Sequence, residues 1–159
     1  MPDAALRLIE SLANTLSAGT DLLRSREAAA EWLHAAGLLP AEAGLSNSEH
    51  AALLRLREAV RDVLAAHGDG REDADAAARL TRTLAEGRLV VTVDPASTIR
   101  LASAARSSYP SVVAGVAVAI ADAAAAGAWL RLKSCSAPGC GRAFCDQDGS
   151  GRCPAHAAG

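Results

Sequence analysis

Apolar residues recur at helical spacing through the first half of the chain, in blocks separated by glycine. Leu6, Ile9, Ala13 and Leu16 fall at i, i+3, i+7 and i+10, which is one face of a helix over residues 2–16. Gly19-Thr20-Asp21 breaks it. Ser25 is a suitable N-cap for a second helix with Ala29, Trp32, Leu33 and Ala36 as its inner stripe; Gly37 is its stop and Pro40 follows. Residues 41–47 form a loop. Ser48 and Glu49 open a third helix with Leu53, Leu56, Val60 and Leu64 on one face, ending near His67-Gly68, and Asp69-Gly70 continues the turn. Residues 72–86 form a fourth helix, rich in alanine, with Leu80 and Leu84 as its larger contacts and Gly87 as its close.

The pattern then changes period. Leu89 to Val93 is short and β-branched, Asp94-Pro95-Ala96-Ser97 is a turn, and Thr98 to Leu101 alternates polar and apolar. Together they predict a hairpin with Val91, Val93, Ile99 and Leu101 turned inward against the helices, because two strands alone are marginal in water. Tyr109-Pro110 starts the last helix. Gly115, Ala119, Ala123 and Gly127 form a small-residue face that lets a neighbour come close, and Val112, Val116 and Ile120 supply the bulkier side. This helix is expected at the centre.

Composition supports a mainly α fold. Half of the residues are apolar but only 3% are aromatic, so the core is built from Ala, Val, Leu and Ile. The 159 residues suffice for one ordinary domain plus a small appendage. Ser111 to Leu130 is nearly uncharged and about a membrane span long, but its alanines, Asp122 and Gly127 predict a buried helix of a soluble protein, with no membrane partner. Met1-Pro2-Asp3-Ala4 does not begin like a secretory signal, so a cytoplasmic location with reduced thiols is expected.

The four cysteines all lie within residues 135–159. That segment has few apolar residues besides Phe144 and cannot order itself by burial, so it needs a cross-link or a metal. Zn²⁺ takes four tetrahedral ligands from thiolate and imidazole, usually as two close pairs. Cys135 and Cys140 form one pair across a turn with Pro138 and Gly139. Cys153 and His156 form the second, with Pro154 in between, and Phe144 is the small core beside the ion. Four protein ligands leave no open position, so the zinc is expected to be structural. Cys145 follows Phe144 in the connecting loop, and a site in which it replaces His156 is the alternative.

The run Leu132-Lys133-Ser134-Cys135 to Cys140-Gly141, then Phe144, Asp146 and Arg152-Cys153, resembles the C-terminal zinc finger of the bacterial CGNR family. Asn14-Thr15-Leu16, Trp32-Leu33, Ala36-Gly37-Leu38, Leu56-Arg57 and the hairpin resemble that family's N-terminal ABATE domain. The resemblance implies a helical domain over residues 1–131, a zinc knuckle over 132–159, and a stress-induced transcription regulator that binds DNA. Asn14 and Thr15 match the family pattern and are candidates to line a small-effector pocket, although an asparagine near a helix end more often caps backbone groups. The sequence departs from the family where His156 stands near the usual fourth cysteine and the Cys-Gly-Asn-Arg tetrapeptide is absent.

Affinity for duplex DNA comes mainly from Lys and Arg on phosphates. The knuckle offers Lys133, Arg142 and Arg152, with Arg131 beside it, against Asp146 and Asp148. Three thiolates and a divalent ion bring it close to neutral, so DNA contact is expected to be weak or dependent on context. A homodimer would double any basic patch. Arg55, Arg57 and Arg61 sit among Glu58 and Asp62 and are expected as an ordinary helix surface. His34, His50 and His67 are expected to be structural or exposed. There is no glycine-rich phosphate loop, nucleophile elbow or paired acid motif, so the protein is not expected to be an enzyme. The other function consistent with the residues is a protein-interaction or ligand-binding module in which zinc only staples the C-terminus.

Overall fold

The computed structural model describes residues 2–157; Met1, at which the N-terminal reading begins, and Ala158 and Gly159 lie outside them. The fold is mainly α. Its helices are α1 (Pro2–Ala13), α2 (Arg26–Ala35), α3 (Asn47–Asp69), α4 (Ala74–Leu84) and α5 (Tyr109–Ala125). Three antiparallel two-stranded ribbons accompany them: β1 (Leu16–Ser17) with β2 (Thr20–Asp21), β3 (Leu89–Val93) with β4 (Ile99–Ser103), and β5 (Leu132–Ser134) with β6 (Ala143–Cys145).

Helix α3 is fixed by its ends and its inner face. The Ser46 hydroxyl accepts from the Glu49 N–H (3.2 Å) and the Glu49 carboxylate accepts from the Ser46 N–H (2.7 Å), a reciprocal capping box. The cap is therefore Ser46, two residues before the expected start, and the Ser-x-x-Glu signature was present to be read. Leu53, Leu56, Val60 and Leu64 are fully buried, as their spacing predicts. Ser25 caps α2 as expected, accepting from the Ala28 N–H at 3.1 Å, and Asp73 caps α4. The fourth helix thus begins at Ala74 and ends at Leu84, inside its expected bounds.

Helix α1 ends at Ala13, earlier than expected, because Leu16 is drawn into the β1–β2 ribbon. Ala18 and Gly19 make its two-residue turn, both at positive φ (49° and 80°). Arg57 reaches this ribbon: its guanidinium donates to both carboxylate oxygens of Asp21 (2.6 and 3.3 Å) and also to Glu58 (2.9 Å). Arg61 donates to the carbonyls of Ala13 and Leu16 at the end of α1 (2.8 and 3.0 Å). These two arginines are thus not a solvated helix surface; Arg57 is buried, and both tie α3 to the turn after α1.

Helix α3 packs on α1, α2, α4 and β5, while α5 packs on α1, α4, β4 and the 3-10 turn Trp129–Arg131. The central role expected of α5 is therefore shared with α3. On α5, Ala119 and Ala123 are buried, Gly115 faces the Leu38 side chain, and Gly127 lies beyond the helix in the left-handed turn that ends it. Asp122 is exposed and needs no partner. No helix among the described residues is long and apolar enough to cross a membrane.

The β3–β4 ribbon corrects the sequence reading. Its register is as the alternation predicts, with Val91 opposite Leu101 and Val93 opposite Ile99, but all four side chains are exposed rather than inward. The helices bury their apolar stripes against one another, and the ribbon rests on α5 through the β4 end, where Ala102 and Ser103 are half-buried.

Candidate metal centre

The C-terminal segment gains order first from a strand pair. In β5–β6, Leu132 pairs with Cys145, Lys133 with Phe144 and Ser134 with Ala143. Successive side chains on a strand point to opposite faces. Leu132, Ala143 and Cys145 accordingly pack into the helical core, whereas Phe144 packs with Cys135, Cys140 and Cys153 in a second, small core. This alternation removes Cys145 from the metal cluster and leaves His156 as the fourth donor.

The ligand atoms of Cys135, Cys140, Cys153 and His156 all lie within 4.8 Å of one another. The Cys140 and Cys153 sulfurs are 3.9 Å apart, and His156 Nδ1 lies 3.7 Å from the Cys135 sulfur and 3.3 Å from that of Cys153. Zinc with sulfur at about 2.3 Å and nitrogen at about 2.0 Å makes a tetrahedron with edges of roughly 3.5–3.8 Å. The donor set therefore has the composition and the size to hold such an ion, and fits a CGNR-type zinc-binding site. The four cysteines are free thiols.

Electrostatics favours a thiolate in the cluster. Burial pushes the Cys135 thiol up, but N–H groups of Cys153 and Ala137 and the thiols of Cys153 and Cys140 all favour its anion, and its pKa falls to about 6. The Cys153 N–H lies 3.3 Å from that sulfur. Cys140 moves upward: the Arg142 N–H favours its anion, but burial and the neighbouring sulfurs of Cys135 and Cys153 oppose a second negative charge. A bound cation reverses that opposition, since its charge stabilises all three thiolates together.

Asp146 holds the loop that carries Cys153. Its buried carboxylate accepts from Lys133 Nζ (3.0 Å) and from the N–H groups of Gly149 (2.9 Å) and Gly151 (3.2 Å). Burial works against its charge, yet Lys133 and these N–H groups hold the carboxyl below the usual range. Lys133, expected at a DNA surface, is engaged in this ion pair. Arg131, Arg142 and Arg152 are exposed and make no ion pair among the described residues.

Asn14 is the hinge between the helical part and the knuckle. Its Nδ2 donates to the Ala143 carbonyl and its Oδ1 accepts from the Ala143 N–H, both at 2.9 Å. The amide thus takes the place of a neighbouring strand for β6. Thr15 is buried and donates to the Leu12 carbonyl at 2.7 Å. Both side chains are engaged with backbone groups. His67, a helix residue expected to be structural or exposed, donates from Nδ1 to the Leu132 carbonyl (2.9 Å) and meets Trp129 edge-on at 5.0 Å. His34 and His50 likewise donate to backbone carbonyls, of Ala43 and Leu23.

Gly68 completes the docking. A Cβ there would fall 2.6 Å from the Ser134 carbonyl oxygen, so only glycine lets β5 lie this close to α3. Sequence reasoning took Gly68 as the helix stop; α3 runs past it to Asp69, and Gly70 at φ 62° is the stop. A cleft of about 330 Å³ beside the cluster is lined by Ala18, Cys140, Arg142, Cys153 and His156. Another, of about 320 Å³, is walled by Glu58, Asp62 and Asp69 together with Arg61 and Cys135. The charge around the knuckle is therefore mixed.

No curated protein matches this chain. The model of the ABATE family, described as a putative stress-induced transcription regulator, matches residues 3–131. Those residues carry α2 to α5 and all of α1 but Pro2, together with Asn14 and Gly68, and on that match the chain belongs to the ABATE family.

Proposed function

We propose that this protein is a zinc-stapled transcription regulator, not an enzyme, in which the helical domain carries the regulatory signal. The observation that supports it best is the donor set itself: three sulfurs and one imidazole nitrogen within 4.8 Å. Cys135, Cys140, Cys153 and His156 would hold one Zn²⁺, whose charge replaces the missing apolar core of the last residues. With four protein donors there is no open coordination position for a substrate or an activated water, which supports a structural ion.

DNA contact in this reading falls to Arg131, Arg142 and Arg152, since Lys133 is paired. Three cations make a modest electrostatic footprint, and binding should weaken steeply with salt. Small-effector sensing in this reading uses the cleft of about 480 Å³ between α3 and α4, where Leu54 and Ala59 meet Arg55, Arg79 and Arg82. A second reading, an interaction module with purely structural zinc, is favoured by the Lys133–Asp146 pair and by the mixed charge beside the cluster, where Glu58, Asp62 and Asp69 are each ion-paired with an arginine.

Metal analysis of the purified full chain, paired with gel-shift assays on its own promoter region at about 50 and 200 mM salt, tests the proposal. One zinc per chain with a salt-sensitive shift that is lost when Arg131, Arg142 and Arg152 are changed to Gln is the expected result. One zinc with no shift at either salt transfers the function to the second reading. Absence of stoichiometric zinc overturns both.

A further inference from the structure

Cys140 and Cys153 share an opening that the other two cysteines do not. Both line the cleft of about 330 Å³ beside the cluster. Their sulfurs lie 3.9 Å apart. Cys140 is half-buried, and Cys153 is buried behind it. Cys135 opens on another side, into the cleft it shares with Glu58, Arg61 and Asp62, where no second cysteine is found. Its sulfur faces the Cys153 N–H at 3.3 Å and His156 Nδ1 at 3.7 Å. Cys145 turns to the helical core from the opposite face of β6. One reachable sulfur thus has one other sulfur directly beside it in the same cleft.

These are the requirements of a cysteine that reacts reversibly with an oxidant. The thiolate is the nucleophile, solvent must reach it, and a second thiol must stand ready to resolve the product. Ligation to a divalent cation keeps both sulfurs in the anionic form. Neither is already spent in a disulfide.

We propose that Cys140 is a modification site for hydroperoxides, with Cys153 as its resolving partner, and that the disulfide between them releases the ion. With hydrogen peroxide, the Cys140 sulfur attacks one oxygen, the O–O bond breaks, and the departing hydroxide takes a proton from solvent. Cys140 then carries a sulfenic acid. The Cys153 sulfur attacks the Cys140 sulfur, the S–O bond breaks, and a second hydroxide leaves as water. Two thiolates, one peroxide and two protons give one disulfide and two waters. The sulfurs lose two electrons and the peroxide gains them.

Geometry allows the step. The 3.9 Å separation must close to about 2.05 Å, roughly 1 Å from each side chain. Disulfide sulfurs carry no charge, so Cys135 and His156 remain as two donors where the ion needs four. This inference rests on the zinc reading and turns a permanent staple into a releasable one. Arg142 and Arg152 stand two and one positions from the reacting cysteines, so oxidation also reaches the surface that the DNA reading uses.

Titration of the full, zinc-loaded chain with hydrogen peroxide tests it. Released metal is read with a chromogenic chelator, thiols are counted before and after, and the bridge is located by peptide mass mapping. One equivalent of peroxide should release close to one zinc per chain and lower the four free thiols to two. Dithiothreitol with added zinc should restore both. Cys145→Ser should release the same metal at the same rate. A bridge that includes Cys135 or Cys145, or zinc retained while thiols are lost, overturns the proposal. Release that leaves sulfinic acid and no bridge overturns it as well. A chain purified without zinc removes the zinc reading itself; the same peptide map then reads the pairing, and absence of the Cys140–Cys153 bridge overturns that too.

Discussion

At the scale of single residues, the knuckle separates its cysteines by what they face. Cys140 points into the cluster with Cys153 and His156, whereas Cys145 turns to the helical core from the next position on the same strand as Phe144. Cys140→Ser should therefore drop bound metal from one per chain to a small fraction, while Cys145→Ser leaves it intact; elemental analysis of the two purified variants reads the difference. Far-UV circular dichroism of Cys140→Ser should keep most of its helical signal, because none of the helices contains a ligand. The cysteine and histidine spacing made the donor set visible in the sequence. The place of Cys145 was not visible, because only the β5–β6 register decides to which side a neighbouring residue turns. Asn14 illustrates the same limit: its type and its position at a helix end were legible, but its partner Ala143 lies 129 residues away.

At the scale of elements, the helices were legible because each carries its own signals, a cap at one end and a glycine at the other, with an apolar stripe between. The errors fall where a tertiary contact overrides a local signal. Gly68 looked like a stop and is instead the gap through which β5 meets α3. Gly68→Ala should accordingly destabilise the protein by about 1–3 kcal/mol through the clash with Ser134, against the ~1 kcal/mol that alanine would gain in an unobstructed helix; urea titration checks the sign. Arg57 and Asp21 tie α3 to the β1–β2 ribbon and make stability depend on acid. Burial would raise the Asp21 carboxyl, but the hydrogen bonds and charge of Arg57, with the Leu23 N–H, hold it below its ordinary value. A depressed carboxyl stabilises the fold fully above its unfolded pKa of about 3.9, and that contribution disappears as pH falls through the lower folded value. Urea midpoints should thus fall as pH drops below about 4, and Asp21→Asn should start from a lower midpoint at pH 7 and lose less of it on acidification.

At the scale of the whole molecule, the knuckle and the helical part are joined by backbone as well as by side chains. Leu132 and Ala143 belong to the main core, Asn14 bonds β6, and His67 bonds the Leu132 carbonyl. Order gained at the cluster is therefore coupled to the end of α1 and to the last turns of α3. The surface around that junction is mixed in charge, while the apolar surface lies elsewhere, on the β3–β4 ribbon. The mixed-charge surface and the exposed apolar surface thus lie at separate places on the molecule.

The sequence by itself determined the mainly α class, the five helices and the β3–β4 ribbon to within a few residues, the aliphatic core and the identity of the four soft donors, but not the β1–β2 and β5–β6 ribbons. Each of these follows from a short-range rule: spacing along one helix, capping, or the chemistry of paired ligands. Only the tertiary structure decided which way the β3–β4 ribbon faces, that Lys133 is neutralised by Asp146, and that Arg57 and Asn14 are structural ties. An alternating pattern specifies that one face is apolar but not what lies against it, since that depends on whether the helices have apolar surface left to offer. Here they bury it on one another, and the ribbon's apolar side remains open.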